Sequence, residues 1–94
     1  MITRIRGELA EITDRHALLH VDALTYAVLV PAADVPTLLG KIGQSIEFYT
    51  LHYFEGLSQG NTITPQLIGF SNERDRAFFE LFTTVKGIGN RKAL

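Results

Sequence analysis

The sequence predicts a mainly β chain with an α-helical C-terminal end. Three observations carry that reading. Short runs rich in β-branched and aromatic residues, among them Thr25 to Val30 and Ile46 to Phe54, are separated by Asp, Gly and Pro turn signals. One short helical stretch falls between the third and fourth of these runs. From Ser71 onward the apolar spacing changes from that of a strand to that of a helix.

The elements follow in order. Ile2 to Ile12 reads as a first strand, with Gly7 at a bulge where it bends. Thr13-Asp14-Arg15 is a turn, Ala17 to Val21 a second strand, and Asp22-Ala23 a tight turn after it. Thr25 to Val30 is a third strand with Tyr26, Val28 and Val30 on one face, ended by Pro31. Ala32 to Leu39 is a short helix closed by Gly40. In the fourth strand, Ile46 to Phe54, one face carries Ile46, Phe48, Thr50 and His52, and the other carries Glu47, Tyr49, Leu51 and Tyr53. Glu55 to Thr64 is polar and contains glycine, and predicts a long hairpin loop before a short fifth strand, Gln66 to Phe70. Five strands with a helix between the third and fourth resemble an OB-fold, a small Greek-key barrel; an SH3-like barrel, the alternative, would usually lack that helix.

Ser71 or Asn72 is placed to cap a helix running to about Thr84. Phe78, Phe82 and Val85 form its apolar stripe, Phe79 and Leu81 widen it, and Glu73 and Asp75 sit well in its first turn. A glycine turn then leads to a new helix at Asn90. Gly87 and Gly89 permit a tight turn around Ile88, and the unpaired N–H groups of the new helix suit an anion such as phosphate. Lys86, Arg91 and Lys92 surround that turn, and Val85 to Leu94 contains no carboxylate. The element resembles a helix-hairpin-helix, which grips duplex DNA by its backbone. A plain glycine turn between packed helices is the other reading.

Composition sets outer bounds. At 94 residues and 46% hydrophobic content, the chain is one domain, or one with an added element. A domain this small gains from self-association. The absence of cysteine excludes disulfides and thiolate metal sites. No apolar signal core or membrane-length run is present, which leads us to expect a cytoplasmic protein with no membrane partner. The net charge of −1 speaks against a general nucleic-acid binder, but its distribution is uneven. Residues 1–70 hold four basic against seven acidic side chains, and residues 71–94 hold five against three. Positive charge therefore collects at the glycine turn.

Taken together, these residues are similar to the RuvA family of bacterial Holliday-junction subunits. Met1-Ile2 with Arg4-Ile5-Arg6-Gly7 matches the opening, and Tyr26 to Pro31 the third strand. Tyr49-Thr50, Gly69-Phe70, Phe79, and Val85 to Gly89 follow at the family's spacing. The resemblance implies an OB-fold barrel domain over residues 1–70 and, over residues 71–94, the start of a helical DNA-binding domain, truncated within its first helix-hairpin-helix. It implies a non-catalytic homotetrameric subunit without cofactor or metal, acting in branch migration during recombination, repair and the SOS response. Its partners would be junction DNA and a RuvB-type motor ATPase, the latter reached through a C-terminal region that this sequence lacks. The DNA-binding residues it implies are Lys86, Gly87, Ile88, Gly89, Asn90, Arg91 and Lys92. Asn90 stands in place of a usual proline, and Lys92 in place of a usual apolar residue. The family's adjacent acidic pair, a pin at the junction centre, has one counterpart here, Glu55, followed by Gly56 and an insert.

His16, His20 and His52 lack the spacing and companion ligands of a metal site. Tyr26, Phe48, Tyr49, Tyr53 and Phe54 would offer stacking faces to single strands, or fill the core. A second functional reading remains: an OB-like self-assembly module whose helical end only packs. Salt separates the two, since phosphate contacts weaken steeply with added salt and an apolar interface does not.

Overall fold

The computed structural model describes residues 2–56 and 63–86. Five strands close into a barrel: β1 (Arg4–Thr13), β2 (His16–Val21), β3 (Leu24–Leu29), β4 (Ser45–Gly56) and β5 (Ile63–Phe70). Between β3 and β4 lie a 3₁₀ turn at Ala32–Asp34 and the helix α1 (Val35–Leu39); α2 (Glu73–Lys86) follows β5. The order around the barrel is β1-β2-β3-β5-β4. All pairings are antiparallel except β3 with β5, which meet in parallel at Leu29 and Ile68. This is the predicted OB-like barrel, with its helix in the predicted place.

The long first strand makes closure possible. Its first half, Arg4 to Glu8, pairs with β4, and its second half, Glu8 to Thr13, pairs with β2. The bulge lies between Leu9 and Glu11, not at Gly7 as predicted. Gly7 stays in register opposite Ile46. It must be glycine for another reason: a Cβ there would overlap the His20 carbonyl oxygen and reach within 2.8 Å of Val21 Cγ2. At the bulge, the backbone of Leu9 bonds instead to the turn after α1, accepting from Gly43 N–H at 2.7 Å and donating to the Gln44 carbonyl at 3.0 Å.

The hairpin turns are as tight as predicted. Asp14 and Arg15 both take positive φ, 50° and 66°, which fits a two-residue hairpin loop to the strand twist. Asp22 does the same after β2, at 56°. Gly40 caps α1 in the right-handed region at φ −80°, and the left-handed residue comes later, at Gly43 with φ 92°.

Inside the barrel, Ile5, Leu9, Ala17, Leu19, Val28, Val30, Phe48 and Leu67 form the core, with Leu38 of α1 packed into it. Val28 and Val30 of one predicted face, and Phe48 and Thr50 of another, are buried, while Tyr26 is only partly buried. Buried Thr50 is satisfied by donating from Oγ1 to the Ile2 carbonyl at 2.8 Å. A second cluster lies on the outer wall, where Leu29, Ile68 and Phe70 meet Phe79 of α2. The rings of Phe70 and Phe79 are 5.3 Å apart and tilted by 46°.

Two predictions of extent are corrected. β4 and β5 run well into the stretch expected to be loop, pairing as far as Glu55 with Thr64 and Gly56 with Ile63. Pro65, which reads as a strand breaker, is tolerated opposite Phe54 where no β3 residue pairs with this part of β5. On α2, Phe79 is the residue buried against the barrel (5% exposed), whereas Phe78 is 66% exposed and Leu81 is also exposed. Of the stripe's described side chains, Phe79, expected at its edge, is the buried one and Phe78, expected at its centre, is exposed; Phe82 and Val85 have side chains outside the described residues.

Gly69 is a tight point of the core. A Cβ there would stand 2.5 Å from Val28 Cγ1 and 2.8 Å from Phe48 Cγ. Gly69→Ala is expected to lower stability by about 1–3 kcal/mol, as overpacking does. Adding Val28→Ala should return part of that loss, and urea unfolding of the single and double variants measures both.

Candidate nucleic-acid interface

Helix α2 carries the chain from the barrel to the predicted phosphate turn. Its start is set by Asn72, the second of the two predicted caps. Asp75 N–H donates to Asn72 Oδ1 at 2.8 Å, and Asn72 Nδ2 donates back to Asp75 Oδ2 at 3.2 Å. Along the helix, Arg76 lies 3.8 Å from both Glu73 and Glu80. These are exposed pairs worth little energy. Lys86 is the last residue of α2 by its backbone. Gly87, Ile88, Gly89, Asn90, Arg91 and Lys92 lie outside the described residues, so the turn itself is carried by the sequence alone.

Glu55 occupies the penultimate pair of the β4–β5 ladder. From Tyr53 with Gln66 to Gly56 with Ile63, that ladder has no described third strand beside it and extends as a two-stranded ribbon. Glu55 is thus placed, by its backbone, near the end of this ribbon. Residues 57–62 lie outside the described residues.

The histidines take separate local roles. His52 Nε2 accepts from Ile2 N–H at 2.9 Å, His16 Nδ1 faces the Asp14 carbonyl at 3.2 Å, and His20 Nδ1 meets Thr25 Oγ1 at 2.9 Å. Among the described residues, no three His, Asp or Glu side chains gather as a metal set. Of the aromatic candidates for stacking, Phe48 is sealed in the core and Tyr49 lies under the Arg4 guanidinium, 5.9 Å from its ring centre. Tyr53 and Phe54 have side chains outside the described residues.

The structure also forms a depression that sequence reasoning did not single out. Thr3, Arg4, Tyr49, Glu73 and Arg76 line it, at the seam between the barrel and the first turns of α2. Arg4 and Tyr49 are direct partners across β1 and β4. No sequence signal places Arg76 beside them, because only the docking of α2 brings it there.

Comparison with known proteins decides the relationship. The family described as RuvA N terminal domain matches residues 1–56. The chain belongs to the RuvA family. The Holliday junction branch migration complex subunit RuvA of Rhodopirellula baltica is 38% identical over 94 residues, covering all of this chain and 45% of that protein. Those of Desulfosudis oleivorans and Natranaerobius thermophilus are 33% and 35% identical, again across the whole chain, covering 44% and 41% of the relatives. The chain therefore spans less than half the length of these RuvA proteins. No helix among its described residues is long and apolar enough to cross a membrane.

Near the base of α2, burial pushes the Asp34 carboxyl above the usual carboxylate range, and the nearby charge of Asp75 adds to this; a hydrogen bond from Ser71 offsets part. Native Asp34 therefore holds its proton more tightly than the unfolded chain does. Its effect on stability is most favourable below the usual carboxylate pKa, and stability is lost as pH rises through the window up to the raised native value. Because Asp34 makes no side-chain cap bond to α1, Asp34→Asn sacrifices no cap. The variant should be more stable than the parent at neutral pH and lack that part of the slope. Thermal midpoints recorded between pH 3 and 7 (a range chosen around the usual carboxylate pKa) test it.

Proposed function

We propose that this chain is the junction-binding part of a RuvA subunit. It is non-catalytic, acts in the cytoplasm, and serves Holliday-junction branch migration in recombination and repair. The observation that carries the reading is similarity to RuvA proteins along the entire chain. In this reading α2 presents Lys86 and the Gly87-Ile88-Gly89 turn to a phosphate, and Asn90 opens the next helix. Arg91 adds a charge-assisted bond, with Lys92 beside it. Phosphates carry no sequence information, so binding is indifferent to base sequence. A RuvB-type motor ATPase is the partner that supplies movement, reached through parts of the subunit beyond this sequence. Glu55, near the end of the β4–β5 ribbon, is the residue available for a pin-like role.

Fluorescence anisotropy with a four-way junction and a plain duplex, across a salt series, tests the grip. One hairpin neutralises few phosphates, so Kd should be of order 10⁻⁴ M or weaker at physiological salt. Arg91→Ala should weaken binding equally for all sequences and reduce the salt slope by about one. Gly87→Val should do more damage. Binding that ignores Arg91 and Lys86, or that survives high salt, would oppose the phosphate grip by this turn and leave the turn a packing role.

Self-association is the second part of the proposal. Leu39 and Ile42 expose apolar surface beside α1, and a domain this small gains from covering it. Family relatives act as subunits of a complex by name. Light scattering should report an oligomer at high protein concentration, and a strict monomer would oppose assembly through the barrel.

A further inference from the structure

The geometry points to a second phosphate site at the seam between the barrel and α2, built from Arg4 and Arg76, which takes a backbone phosphate of duplex DNA. The inference rests on the reading of this chain as a DNA binder, and it adds a contact outside the glycine turn.

The depression has a volume of about 190 Å³ and is open to solvent, so a phosphate on a duplex surface can enter it without strand separation. Two guanidiniums and two hydroxyl-bearing residues, Thr3 and Tyr49, line it against one carboxylate, Glu73. That leaves the lining net positive, in a chain whose net charge is −1. Arg4 has no carboxylate within salt-bridge distance among the described residues. Its guanidinium is instead steadied by the Tyr49 ring, at 5.9 Å, which leaves its N–H donors uncommitted to any acid among the described residues. Arg76 is the less exposed member of its pairs, at 22% against 70% for Glu73 and 55% for Glu80. At 3.8 Å those pairs are long and contribute little, whereas a phosphate can accept two charge-assisted bonds from the Arg76 guanidinium.

The arrangement suits phosphate chemistry. A guanidinium presents a rigid fork of donors that matches two oxygens of a phosphodiester, and hydroxyls complete the shell. A ligand held there touches β1, β4 and α2 together. It would therefore brace α2 against the barrel at the end opposite the glycine turn, so that both ends of the helix hold the same DNA.

The test uses the full 94-residue chain and a fluorescein-labelled duplex, followed by anisotropy over a salt series. Arg4→Gln and Arg76→Gln should each weaken binding about three- to tenfold and lower the salt slope by about one. Glu73→Gln removes the carboxylate from the site and should tighten binding about two- to fivefold, a gain that misfolding does not produce. Glu11→Gln makes the same charge change on β1 away from the seam and should leave affinity within about twofold. Amide spectra supply a second readout. Duplex should shift the Thr3, Arg4, Tyr49 and Arg76 signals in the Arg91→Ala variant as well as in the parent, which separates this site from the turn. Duplex binding that depends on Arg91 but not on Arg4, Arg76 or Glu73 would overturn the seam site and leave the hairpin reading intact. Shifts with inorganic phosphate but none with duplex would also overturn it, marking a small-anion site only. Absence of all duplex binding by the parent would overturn both readings.

Discussion

Everything in this structure depends on the approach of the Phe48 ring and the Val28 side chain to a backbone that bears no side chain. Gly69 lies where a single added carbon would collide with both. That empty position lets β5 lie against the centre of the barrel while its neighbours point the other way. Leu67 joins the inner core, and Ile68 and Phe70 form the outer wall with Leu29. Three residues of one strand thus serve two clusters. The inner one closes the barrel, and the outer one receives Phe79 and fixes how α2 leaves it.

The position of the helix determines which charges meet. Docking through Phe79 turns Glu73 and Arg76 toward the Arg4–Tyr49 pair on β1 and β4. It also brings the Asp75 carboxylate near Asp34, where burial and like charge work against ionisation. One face of the helix start thus gathers two guanidiniums, and another sets two acids near each other. The Asn72 cap, bonded at 2.8 Å to Asp75 N–H, holds this arrangement in register.

Much of the barrel was readable from residues close together in the chain. The strand and turn order, the Asp14-Arg15 and Asp22-Ala23 turns and the helix ahead of β4 all follow from local propensity and spacing. A residue that needed a distant partner was misread: Gly7 resembles a bulge until β2 is seen packed on it. The candidate site divides in the same way. The glycine turn and its basic residues are visible as a motif, whereas the Arg4–Arg76 seam joins residues seventy-two positions apart and has no local signature.

By itself, then, the sequence determined the kind of elements, their order and the family, because periodicity, turn chemistry and motif spacing are properties of neighbouring residues. Tertiary structure decided how far β4 and β5 extend, where the bulge falls, and which face of α2 is buried. For α2 the reason is plain. Phe78, Phe79, Leu81, Phe82 and Val85 spread apolar groups around much of the helix, so its own pattern permits more than one docking angle. The choice came from the outer wall of the barrel, where Phe70 offers one ring for Phe79 to meet.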